Sequence, residues 1–133
     1  MRTPDIIAIW LVLLSLCSPT LLARELLAES QPPGLIINMQ SQLQPLTINQ
    51  MHSWIITIRD TDNRPVAGAT IEVNGGMAEH DHGLATAPRV TDYLGDGAYL
   101  LQGMRFHMPG QWQLELTILV ETARYSASMT VDL

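Results

Sequence analysis

The 133 residues include one cysteine, so the chain is long enough for one ordinary domain and carries no disulfide framework. The formal net charge is −6, and the seven Lys/Arg positions are scattered. That pattern excludes a clustered basic face, and with it nucleic-acid binding.

In chain order, residues 6–23 carry no charge and are rich in Leu and Ile, with Arg2 in front and Arg24 behind. A charged start, an apolar stretch and a small residue at its end describe an export signal over residues 1–23. Leu21-Leu22-Ala23 and Leu26-Leu27-Ala28 each put Leu where cleavage prefers a small residue. The apolar run is also near the lower limit for a spanning helix, so an uncleaved anchor is the alternative. Either form places the rest of the chain outside the cytoplasmic membrane, in the periplasm. Membrane contact is then expected only through the N-terminal segment. Cys17 lies in that segment, which leaves the exported domain to be held by its core alone.

Residues 24–34 read as a linker, because Gln31-Pro32-Pro33-Gly34 cannot continue a helix or a sheet ladder. The folded domain is expected at residues 35–133, and its pattern is all β. Residues 35–39 and 45–48 are short apolar runs, with Pro45 marking a strand start or an edge. Residues 54–59 put Trp54, Ile56 and Ile58 on one face. Asp60-Thr61-Asp62-Asn63-Arg64-Pro65 is dense in turn formers. Ala69, Ile71 and Val73 alternate next. Residues 89–94 and 98–106 read as a hairpin around Gly95-Asp96-Gly97. Trp112, Leu114, Leu116, Ile118 and Val120 form the cleanest alternation in the chain, followed by Tyr125, Ala127, Met129 and Val131. The sum is about seven strands in an immunoglobulin-like antiparallel β-sandwich, with Trp54 and Trp112 expected in its core.

Two short segments carry the chemistry. One is Gly75-Gly76-Met77-Ala78-Glu79-His80-Asp81-His82-Gly83, and the other is Met104-Arg105-Phe106-His107-Met108-Pro109-Gly110. They hold three of the four histidines and three of the seven methionines. Imidazole and thioether are the neutral ligands that soft transition metals accept, Cu(I) above all. His80 and His82, two apart, share a face if the segment is extended. Pro109-Gly110 breaks the strand beyond His107 and Met108, freeing both to reach one loop site. Met77 precedes His80 by three residues, and Met104 precedes His107 by three. The hairpin between the segments brings their ends together. The expectation is one copper site from His80, His82, His107 and Met108, with Met77 or Met104 as a further ligand. The structural alternative has the methionines filling an irregular core and the histidines bonding their own loop. His52 reads as a surface or edge residue.

The same residues resemble a known family. Met77-Ala78-Glu79-His80-Asp81-His82-Gly83, Gly97-Ala98-Tyr99 and Phe106-His107-Met108-Pro109-Gly110-Gln111-Trp112 are similar to motifs of the YtkA-like domain, akin to the FixH family. The resemblance spans about residues 35–133. Ala78 stands where that pattern often has Pro, and Asp81 where it often has Gly, which alters the loop's rigidity and not its ligand count. The resemblance implies an exported immunoglobulin-like sandwich linked to copper handling or oxidase assembly.

Catalysis finds little support in the sequence, and an enzyme stands third behind two non-enzymatic readings. Ser53 beside His52 is not a triad, because neighbouring strand residues face opposite ways. Asp60 and Asp62 lie in a turn without the later ligands of a calcium loop. Two non-enzymatic readings remain: a copper-binding accessory protein that serves a copper acceptor or an oxidase-assembly protein, and a metal-free extracytoplasmic interaction module.

Overall fold

The computed structural model describes residues 24–133, so the expected export segment lies outside the described residues. Within them the chain forms nine strands and no helix: β1 (Glu25–Glu29), β2 (Leu35–Ser41), β3 (His52–Asp60), β4 (Thr70–Met77), β5 (His82–Gly83), β6 (Arg89–Gly95), β7 (Ala98–Met104), β8 (Gln111–Val120) and β9 (Ala123–Asp132). Two antiparallel sheets result, ordered β1-β2-β3-β7-β6 and β5-β4-β8-β9. The run β2-β3-β7-β6 has the A-B-E-D order of an immunoglobulin domain, and β4-β8-β9 has its C-F-G order.

Period-two alternation drives this arrangement. On β8, Trp112, Leu114, Leu116 and Ile118 are buried while Gln113 and Glu115 face solvent. Opposite, β3 buries Trp54, Ile56 and Ile58, and β2 buries Ile37 and Met39. Each such Leu, Ile or Met side chain contributes about 1.5–3 kcal/mol by leaving water. Trp54 and Trp112 are both fully buried, on the strands that carry the intersheet disulfide in antibody domains. Here a row of rings spans the sheets instead. Trp54 lies 6.1 Å from His52, His52 lies 5.7 Å from Phe106, and Phe106 lies 5.4 Å from Trp112, centroid to centroid.

Three local readings are corrected. Residues 24–34 are not a tether. Residues 25–29 pair with β2 over the full length of β1, and Gln31 exchanges two backbone hydrogen bonds with Ser126 of β9 at 2.7 and 2.8 Å. The two prolines end an edge strand within the domain, and Ser30 closes their turn by accepting from the Leu35 N–H at 3.0 Å. Residues 45–48 are not a strand but part of a connection, which Asn49 ties down by donating to the Phe106 carbonyl at 2.7 Å. His52 is not at the surface. It is 8% exposed, because it opens β3 opposite Met104 of β7.

One end of the sandwich collects the functional segments. The β2–β3, β4–β5 and β7–β8 connections and the C-terminus all emerge there. Asp96 and Gly97, with φ of 50° and 77°, turn β6 back into β7 at the other end. That hairpin returns the chain to the loop after Met104.

Candidate functional site

The first loop is built by the β4–β5 hairpin. Met77 pairs with His82 and Gly76 with Gly83, so only residues 78–81 form the turn. His80 donates its N–H to the Met77 carbonyl at 3.2 Å, and Asp81 takes the left-handed conformation at φ 51°. Gly76 is required here, because a Cβ would stand 2.9 Å from the His82 carbonyl oxygen. The turn leaves His80 and His82 exposed, with ring centroids 6.2 Å apart and planes 23° from parallel.

The second loop, residues 105–110, is clamped from three sides. Phe106 is buried, Trp112 donates its indole N–H to the Met108 carbonyl at 3.0 Å, and Gly110 exchanges backbone hydrogen bonds with Leu133 at 2.8 and 3.1 Å. This holds His107 at the wall of the sandwich. Its ring meets Trp112 edge-on at 5.2 Å and lies 6.0 Å from His82. The three imidazoles therefore stand in a row: His80, His82, His107. Nδ1 of His107 is buried with no hydrogen-bond partner.

The methionines divide. Met108 is half-buried at the rim of the core. Met77 is 2% exposed, yet its methyl group lies beneath the second loop, 2.7 Å from where a Cβ on Gly110 would stand. Met104 is fully buried, opposite His52. Burial in the core is thus the resting role of Met77 and Met104.

A metal needs more than proximity. Among the described residues, no three His, Cys, Asp or Glu side chains stand together as a metal-binding group. An ion here would rest on two imidazoles completed by sulfur. The spacing suits that: with metal–nitrogen bonds of about 2 Å, two imidazoles on one ion have centroids roughly 5–6.5 Å apart. The unpartnered His107 nitrogen also suits it, because a buried lone pair or N–H without a partner is costly. The residues present fit a soft ion and do not fit a closed zinc site of four hard or anionic donors.

Other groups at this end are not apparent from the motifs. Asn74, Gln113, Glu115 and Asp81 line a cleft of about 340 Å³ beside His82, floored by glycine backbone. The outward phase of the β8 alternation holds the signal for Gln113 and Glu115. His52, inside the same end, donates its Nδ1–H to the Gln50 carbonyl at 2.9 Å, and its Nε2 is buried without a partner. Burial holds its pKa below the usual histidine value, and the Gln50 carbonyl opposes this only in part.

The fold and this end define a small two-sheet sandwich domain with a histidine-lined edge. The chain belongs to the YtkA-like family, which it matches over residues 32–117. No curated protein and no solved structure matches it. The β1 strand and the whole of β9 lie outside the matched span, yet both are hydrogen-bonded members of the two sheets.

Proposed function

We propose that this chain is an exported, non-enzymatic accessory protein that binds copper between the β4–β5 turn and the β7–β8 loop. His82 and His107 form the core of the donor set. His80, Met108 and Met77 complete it in a manner set by oxidation state, the sulfurs favouring Cu(I) and the imidazoles Cu(II). Met104 is the most deeply buried of the donors read from the sequence and joins only if the loop shifts. Bound copper would supply a redox-active, exchangeable ion. The chain's own contribution is to hold two imidazoles at fixed spacing on a rigid sandwich, open to solvent on the His80 side. An open site suits transfer to a copper acceptor or an oxidase-assembly protein, a role also implied by the resemblance of its motifs to the YtkA-like domain and the FixH family akin to it. The periplasm is the compartment this reading requires.

The observation that carries the reading is the 6.0 Å approach of His82 to His107 beside an unpartnered buried His107 nitrogen. The test is titration of the purified protein with Cu(I) against a competing chelator. One ion per chain is expected, with His82→Ala and His107→Ala each weakening binding at least tenfold, about 1.4 kcal/mol. Affinity unchanged in both variants would leave a metal-free interaction module as the better account.

A further inference from the structure

A different feature lies along β4. This strand has β8 on one side from Thr70 to Gly76, but on the other side, among the described residues, β5 pairs only with Gly76 and Met77. The Leu84 N–H donates to the Gly75 carbonyl at 3.0 Å, so the backbone groups of Gly75 point away from β8. In an antiparallel ladder, groups alternate sides along the strand. The N–H and C=O of Val73 and Ile71 therefore also point away from β8, where no strand among the described residues pairs with them, although β6 passes close to β4. Beside them runs a groove of about 560 Å³, walled on its far side by Leu84, Thr86, Ala87, Pro88 and Arg89.

We infer that this edge receives an extended segment of a partner protein, added as one further strand beside β4. Strand addition is how an open ladder edge with an adjacent groove binds peptide: the main chain supplies affinity, and alternate side chains supply selectivity. The segment's inward side chains meet Leu84, Ile71 and Val73 and are apolar. Its outward side chains meet Glu72 and Asn74, both exposed, and Glu72 has no ion-pair partner among the described residues. The segment is therefore basic where it faces Glu72, in keeping with the chain's net charge of −6, and Arg89 on the far wall is the cation that lines the groove. A second copy fits less well. The wall formed by residues 84–89 stops a strand that carries a sheet behind it, and antiparallel self-pairing centred on Glu72 sets like charges opposite each other. The groove ends at Gly83, one residue from His82. The inference holds whether or not copper binds there.

The test uses a blocked peptide, Val-Lys-Val-Lys-Val-Ser-Val, with chelator present throughout so that metal plays no part. Amide exchange by NMR is the readout. In the free protein, the amides of Ile71 and Val73 should exchange faster than those of Glu72 and Asn74, which face β8. Peptide should bind saturably and protect Ile71 and Val73. Methylating alternate peptide nitrogens should abolish binding in one phase and not the other. Glu72→Lys, at an exposed site, should weaken binding by about fivefold or more. Equal exchange along β4 in the free protein, no saturable binding, or binding indifferent to nitrogen methylation would each overturn the inference. Protection of the same amides by self-association alone would overturn it too, assigning the edge to a second copy.

Discussion

Replacing Trp112 by Ala tests the fold and the site together. The indole is fully buried between Phe106 at 5.4 Å and His107 at 5.2 Å, and it donates to Met108. A buried Trp removes roughly 150–250 Å² from water. At about 25 cal/mol per Å² that is about 4–6 kcal/mol, an upper figure because denatured chains already bury some of it. A loss of about 3–5 kcal/mol is therefore expected, the usual range for Trp→Ala in a core. For a domain of this size the melting temperature should fall by roughly 12–20 °C. Trp112→Phe separates the two roles. It keeps a ring in the core but removes the donor to the Met108 carbonyl, at about 1 kcal/mol for the hydrogen bond alone. Urea unfolding followed by circular dichroism measures both. A loss below about 1 kcal/mol for Trp112→Ala would refute the packing described here.

Three further outcomes are expected. The lowered pKa of His52 means that the unfolded chain binds its proton more readily than the folded one. Its contribution is therefore complete above the unfolded value of 6.5 and is lost as pH falls through the folded value. In urea titrations between pH 7 and 5, His52→Phe should flatten the pH dependence relative to the parent, and an unchanged slope would contradict this. Gly110→Ala forces a Cβ at φ 124° to within 2.7 Å of the Met77 methyl; a cost of about 1–3 kcal/mol is expected in thermal melts, and a neutral result would mean the loop is not clamped. Cell fractionation should place the protein outside the cytoplasmic membrane, and a soluble cytoplasmic pool would overturn the exported reading.

The strand pattern was legible where both period and burial were strong. Trp112 to Ile118 and Trp54 to Ile58 alternate strictly because one face meets the opposite sheet. The edge was not legible. Residues 25–29 bury only half of Leu26 and Ala28 and leave Leu27 71% exposed, so their alternation is weak and the prolines after them mimic a linker. Residues 45–48 have strand composition, but Leu46 alone packs on the core, and Asn49 at φ 61° turns the chain toward Phe106. His52 looked like a surface residue because a polar side chain at a strand start is ordinarily exposed. Its burial comes from Phe106, 54 positions later in the chain, and no local pattern reports such a contact. The approach of His82 to His107, with His80 beside His82, followed from two local signals, the Gly95-Asp96-Gly97 turn and the glycines of the β4–β5 hairpin. The sulfur positions did not follow, because Met alternates between core and rim with the strand phase of its loop.

The measurement closest to the central proposal is the NMR of the imidazole nitrogens as Cu(I) is added under reducing conditions. The account predicts that resonances of His82 and His107 shift together and stop shifting at one equivalent, while those of His52 stay still. Shifts confined to exposed His80, or no change at His107 at saturation, would contradict a shared ion between the two loops.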